Sequence, residues 1–389
     1  MNLWQIIKRE FRQMFVQDPK RVVYLFGASA IYILLFGLLY GTHVVNAVPT
    51  VVYDEDQTTL SRSLLQNFAD SERYKMVAYV TSQEEMEEYL HSKQALVAIN
   101  IPNTFSHNAK LGLSTPVLVK INGTNLIITN TALSAAQEII QAFSNNMGSH
   151  LLQTTGQMPQ QALHKVAPVS LELRVLHNAT LSYLDFFVLG LAMAALQQGI
   201  LLSVSASMIY EYQNMHELQN VSTFTVLAGK LLPYWLCGTI AFVMALTISS
   251  LAFHIPFNGD FASLLALGTI FSFTITAFAS LLAAYCRTEV TFTQFSLAYA
   301  VPGFVFSGYT WPQYSMDVIS TVISYTFPIT YVADTVRALM VSGHAPALHK
   351  NILILLIMGV ILLTISTLVY INKRKHPTIS AEKTALSQS

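Results

Sequence analysis

FFVLGLAMAALQQGILLSVSASMIY, residues 186–210, carries no charged side chain, and its reading decides the fold. At about 1.5 Å per residue, a helix of this length crosses a hydrocarbon core about 30 Å thick. Lipid offers no partner for open backbone groups, so such a run must be helical. Five more uncharged stretches flank it: 22–41, 231–253, 261–285, 290–308 and 351–372. The pattern predicts a polytopic α-helical membrane protein with six transmembrane helices. Composition agrees, since 53% of residues are hydrophobic and only 11% charged, against about 25% charged in soluble chains.

The formal net charge is zero, so no global field points to nucleic acid. Charge placement says more. Lys8, Arg9, Arg12, Lys20 and Arg21 precede the first run, and Lys373, Arg374 and Lys375 follow the last. The positive-inside rule then puts both termini in the cytoplasm, as an even number of spans requires. The first run exceeds the ~7–15 residues of a signal-peptide core and reads as an uncleaved span. Cys237 and Cys286 both fall in or beside apolar runs and read as small packing residues.

Residues 1–21 hold a helix with Leu3, Trp4, Ile7, Phe11, Met14 and Phe15 on one side. Lys8, Arg9, Arg12 and Gln13 lie opposite, which suits a helix in the cytoplasmic membrane interface, touching lipids. Residues 42–182 read as a small extracytoplasmic α/β domain. Strands are expected near 48–53, 75–80, 95–101 and 117–121, with helices at 60–68, 83–91 and 133–151 and a loop at 156–168. Residues 183–372 hold the remaining five spans. Within them lies the segment 309–350, whose apolar stretch 318–333 is only sixteen residues long and broken by Pro328, too short to cross, so the segment is expected to be re-entrant. Asp334 and Arg337, spaced i, i+3, suit a structural ion pair. Residues 373–389 form a cytoplasmic tail, polar and expected to be disordered from 376 onward.

The chemistry of catalysis does not emerge. Gly229-Lys230 precedes Leu231 and lacks the upstream glycine of a phosphate loop. His216-Glu217 begins like a zinc-protease motif, but residue 220 is asparagine, so the second ligand is missing. No Gly-x-Ser-x-Gly elbow occurs, and Glu84, Glu85, Glu87 and Glu88 read as a solvated helix face. Asn122-Gly123-Thr124 and Asn178-Ala179-Thr180 match glycosylation sequons. Asp185, Glu211, Lys230, Asp260, Arg287 and Glu289 all sit at span ends, whereas Gln197 and Gln198 supply neutral polarity within a span. Ion-driven carriers hold mid-membrane charge. The expectation is therefore a chain with no catalytic residue, metal or cofactor of its own, whose work comes from elsewhere.

Ser307-Gly308-Tyr309-Thr310-Trp311-Pro312, Met316, Pro328-Ile329-Thr330-Tyr331, Arg337 and Gly343 together resemble the C-terminal signature of type-2 ABC transporter permeases. Gly229-Lys230-Leu231-Leu232-Pro233-Tyr234 resembles that family's entry to the third span. Ile101 to Ser106 and Asn122 to Asn125 resemble its large-loop subgroup.

The resemblance implies the transmembrane subunit of an ABC exporter in a bacterial inner (plasma) membrane. Two such subunits, two copies or a copy with a sister permease, would form the pathway. Separate cytoplasmic ATPase subunits would hold ATP and magnesium, and a periplasmic adaptor would extend the assembly.

The coupling loop would span 211–230, with Glu211, Asn214, His216, Glu217 and Leu218 as docking residues. The family's Gly-Thr pair, arginine and proline are absent from it. Gln197, Gln198, Pro302, Gly303, Phe304 and Phe306 are candidates for the gate and pathway, the Pro-Gly step being a usual site of bending. A neutral lining would suit amphipathic or apolar, drug- or lipid-like cargo. Two other classes remain open: a membrane sensor with an extracytoplasmic ligand-binding module, and an ion-driven carrier or channel.

Overall fold

The computed structural model describes residues 2–41, 45–111, 113–124, 126–154 and 182–375. The loop expected at 156–168, the sequon at Asn178 and the tail from 376 lie outside these residues. The chain divides into two compact units, Met1–Gly41 with Leu176–Ser389, and Thr42–Val175.

The first unit opens with α1, Leu3–Arg12, where Gln5 Oε1 accepts from the Asn2 amide at 2.9 Å. A π turn, Gln13–Gln17, leads past Pro19 into α2, Lys20–Leu39. The apolar side of α1 divides in two. Ile6, Ile7 and Glu10 are buried, while Trp4 and Leu3 stay exposed. Burial follows from close approach to residue 229, where a Cβ would come within 2.7 Å of Ile6 Cγ2. Only glycine lets the Ile6 side chain seat directly against the backbone there.

The second unit holds β1, Val48–Asp54; α3, Thr59–Ala69; β2, Tyr74–Val80; α4, Gln83–His91; and β3, Val97–Ile101. It continues with α5, Phe105–Lys110; β4, Leu118–Ile121; and α6, Leu126–Thr154. The strands form one sheet in the order β2-β1-β3-β4. β1 pairs in parallel with β2 and β3, and β3 pairs antiparallel with β4. Val48, Val52, Val97, Ile99 and Ile101 face Leu64, Leu65 and Phe68 of α3 and Ala132, Ala135 and Ala136 of α6. Val51, Val80 and Ala98 turn the other way, toward Met86 of α4. Burial of β1 and β3 on both faces explains why their sequences are nearly continuous runs of apolar residues. Thr58 caps α3 by accepting from the Ser61 amide at 3.3 Å, and the Ser61 hydroxyl accepts in turn from the Thr58 amide at 3.0 Å.

Returning to the first unit, α7 spans Tyr183–Gln213, α8 Thr223–Phe253, α9 Phe261–Ala283 and α10 Glu289–Phe306. α11, Val318–Ser324, and α12, Ala333–Arg337, are short, and α13 covers Leu348–Lys375. Among the described residues, five helices are long and apolar enough to cross a membrane: α2, α7, α8, α9 and α13. The stretch expected as the fifth of six spans forms α10, whose 18 residues cover about 27 Å. Glu289, Thr291, Thr293 and Gln294 dilute its first two turns.

The segment after α10 is a chain of short pieces. A 3-10 turn at Pro328–Tyr331 links α11 to α12, and a π turn at Ala338–Ser342 ends on Gly343 with φ +76°. Proline at the start of the 3-10 turn prevents α11 from running on. α7 is the hub, with Val188, Ala192, Leu196, Ile200 and Val204 fully buried. Small residues allow that density, and at Gly199 a Cβ would lie 2.3 Å from the Tyr24 carbonyl oxygen of α2.

Candidate functional site

The candidate coupling loop is shorter than its sequence suggests. α7 continues to Gln213, and α8 starts at Thr223 because the Ser222 hydroxyl caps it, accepting from the Thr225 amide at 3.2 Å. Only residues 214–222 remain outside the helices, with a 3-10 turn at Met215–Leu218. Asn214 caps the end of α7, its Nδ2 donating to the Tyr210 carbonyl at 2.9 Å. His216, Glu217, Gln219 and Asn220 are exposed or half-buried, while Leu218 is buried.

This loop is tied down from α13. Arg374 donates to the Val221 carbonyl at 2.9 Å, the Leu218 carbonyl at 3.0 Å, the Gln219 carbonyl, and the Thr223 hydroxyl at 3.3 Å. Guanidinium geometry, with its fixed fork of donors, suits several converging carbonyls. Gln213 Nε2 reaches the Arg287 carbonyl at 2.9 Å, linking the loop to the turn between α9 and α10.

Glu211, expected to face an ATPase, points inward instead and is only 3% exposed. Its Oε1 accepts from the Tyr370 hydroxyl of α13 at 2.7 Å, and its Oε2 lies 3.4 Å from Lys230 Nζ of α8. Lys230 also meets Glu10 Oε2 of α1 at 3.5 Å and the Ser207 hydroxyl at 3.4 Å. Glu10 Oε1 accepts from Arg21 Nη1 at 3.2 Å and from the Tyr234 hydroxyl at 2.9 Å, and that hydroxyl accepts from Arg21 at 2.9 Å. Two buried carboxylates and two cations thus join α1, α2, α7, α8 and α13, and half-buried Asp18 extends the set at its edge, its Oδ2 accepting from Arg21 Nε at 3.1 Å. Burying charge this way is tolerable only because each one is paired and hydrogen-bonded. A cavity of about 10 Å³ between Glu10, Glu211, Lys230, Ile6, Arg9 and Leu218 has room for about one water.

One residue before Glu10, Arg9 reaches the loop. Its Nη2 donates to Glu217 Oε2 at 2.7 Å, and the Tyr210 hydroxyl donates to Glu217 Oε1 at 2.8 Å. These two bonds, Arg9's first, hold the Glu217 carboxyl below its ordinary pKa. Consecutive residues of α1 therefore touch the exposed loop and the buried cluster.

Sequence reasoning missed Glu10, Arg21, Tyr234 and Tyr370. A signal existed for Glu10, because Ile6, Ile7, Glu10 and Met14 fall at helical spacing on a face otherwise apolar.

The candidate gate residues occupy two places. Gln197 is wholly buried on α7, and among the described residues neither its Oε1 nor its Nε2 finds a partner. Gln198 donates to the Ser296 hydroxyl of α10 at 2.8 Å. Farther along α10, Pro302 is exposed and Gly303 buried, with a Cβ there coming within 2.8 Å of the Phe327 ring. Phe304 packs 5.8 Å from the Tyr309 ring, and Phe306 joins the same apolar cluster with Phe327 and Ile329. Tyr309 is the centre of that cluster. Its hydroxyl accepts from the Gly190 amide at 3.0 Å and donates to the Phe186 carbonyl. Arg337, ion-paired with Asp334, lies 4.4 Å over both the Phe186 and Tyr309 rings.

Cys237 and Cys286 are free and buried. Among the described residues, no group of three or more His, Cys, Asp or Glu could hold a metal ion.

The chain is 24% identical over 340 residues to the probable multidrug ABC transporter permease YbhR of Escherichia coli K12, covering 86% of this chain and 89% of that one. It is 23% identical over 176 residues to the probable multidrug ABC transporter permease YbhS of the same organism, covering 44% and 45%. The family model for ABC-2 family transporter proteins matches residues 20–368, and the chain belongs to that family.

Proposed function

We propose that this chain is the pathway-forming subunit of an ATP-driven exporter in a bacterial inner membrane. α10 acts as a sixth crossing, so both termini face the cytoplasm and the α/β unit stands outside. Two such subunits, identical or sister permeases, enclose the pathway. Cytoplasmic ATPase subunits carry ATP and magnesium and dock on residues 214–222, through His216 and Glu217. A periplasmic adaptor on the α/β unit completes the assembly.

The observation that carries this reading is the loop itself. It is short, clamped by Arg374, and connected through Arg9 and Glu217 to the helix whose next residue enters the buried charge cluster. A push on such a loop passes into α1, α7, α8 and α13 together rather than dissipating in a flexible linker. Glu211 serves this transmission from inside and is not itself a docking residue.

Cargo is amphipathic or apolar, in keeping with the neutral Gln197 and Gln198 and with the multidrug naming of the relatives. The test is reconstitution with and without the partner ATPase. Hydrolysis stimulated by an amphipathic cation, and export of that cation, are expected only in the complex. Equal flux in vesicles lacking the ATPase overturns the reading.

A further inference from the structure

We propose that the α/β unit binds a small zwitterionic amphiphile, of dipeptide size, in the cleft between the end of α3 and the middle of α6. The cleft has a volume of about 310 Å³, at the lower end of the roughly 300–1,000 Å³ typical of ligand sites. Asn67, Ser71 and Arg73 form one wall, and Ala135, Glu138 and Ile139 the other. Small Ala135 leaves the space open, and with Ile139 it provides an apolar floor.

Charge selects the occupant. Arg73 and Glu138 face one cavity with opposite charge, yet among the described residues neither belongs to an ion pair. Arg73 Nη1 donates to Asn46 Oδ1 at 3.1 Å, which holds the guanidinium in place while leaving donors free. A guanidinium accepts a carboxylate through two parallel hydrogen bonds. Glu138, exposed on α6, supplies the acceptor for an ammonium group. A ligand with a carboxylate at one end, an ammonium at the other and an apolar body between them satisfies both walls and the floor. The open setting keeps these charges partly hydrated, so affinity of about 0.1–1 mM is expected.

The site is independent of the transport reading, because binding needs neither ATPase nor a second subunit. Calorimetric titration of the full-length chain in micelles uses alanyl-phenylalanine, its N-acetyl form and its C-terminal amide. The free dipeptide should bind, and each cap should weaken binding about tenfold, or 1.4 kcal/mol. In Arg73→Gln the amide should bind no worse than the free acid, and in Glu138→Gln the acetyl form should match the free amine. Equal binding of all three ligands to the unaltered chain, or no binding at about 10 mM, overturns the proposal. Because the capped ligands probe the unaltered chain, neither outcome depends on whether the variants fold.

Discussion

Two ends of the helical unit are fastened by different chemistry. Beside residues 214–222, α1, α7, α8 and α13 meet through Glu10, Arg21, Glu211 and Lys230, with Tyr234 and Tyr370 completing the hydrogen bonds. Around Tyr309, α7, α10 and the segment after it meet through stacked rings, one hydroxyl and one arginine over two aromatic faces. Dispersion is spread over many contacts and degrades gradually when one is lost. A closed set of buried charges fails abruptly, because deleting one leaves another uncompensated. The charged end is therefore the part of the unit least tolerant of partial change.

Glu10→Ala should break this contrast most severely. It leaves Arg21 with only half-buried Asp18 and Lys230 with only Glu211, and a loss of about 3 kcal/mol, the lower end for breaking a buried pair, is expected. Glu10→Gln should cost less, since it retains an acceptor, and chemical unfolding in micelles would rank the two. Comparable stability of Glu10→Ala and the parent would mean that the cluster is not the fastener described.

At the aromatic end, Tyr309→Phe removes the hydroxyl that serves the Gly190 amide and the Phe186 carbonyl. About 0.5–1.5 kcal/mol should be lost with those bonds, the rings still stacked, because the Gly190 amide and Phe186 carbonyl stand i and i−4 in α7 and keep each other as partners. Gly190→Ala attacks the same contact sterically, because its Cβ would lie 2.3 Å from the Tyr309 ring. A loss of about 1–3 kcal/mol is expected from overpacking, and the double substitution should be strongly non-additive.

Arg374→Ala sharpens the comparison on the loop. Local order should fall more than global stability, so amide exchange across 214–222 should accelerate at least about tenfold. Arg374→Lys should restore charge but not protection, since an ammonium cannot span the same carbonyls. Unchanged exchange in both would leave the loop's order to other contacts.

The smallest effect concerns pH. The Glu217 carboxyl is depressed in the folded chain, so its pair with Arg9 stabilises at pH values above the unfolded pKa of about 4.3. That contribution is lost as pH falls through the lower folded value. Being at the surface, it should be small and should fade in high salt. Arg9→Ala should remove both the pH step and its salt dependence.

Much of this architecture is legible in particular residues. Uncharged runs became α2, α7, α8, α9 and α13 because a long apolar segment has few ways to satisfy its backbone. Val48–Asp54 and Val97–Ile101 were readable from their β-branched and apolar runs between polar turns. The boundary at residue 222 was less so, since one serine cap lengthened α8 and shortened the loop. Residues of the motifs that carry the family resemblance turn out to be fasteners. Lys230 and Tyr234 enter the charge cluster, Gly229 admits α1, and Tyr309 centres the ring cluster.

Composition and periodicity alone determined that the chain inhabits a membrane, because hydropathy is summed locally and needs no partner. The direction in which Glu10 and Glu211 point was decided only by tertiary structure. A charge at a span end can face water or protein at equal cost to the local pattern, and only the position of Lys230, Arg21 and two tyrosines from other helices makes the inward choice favourable.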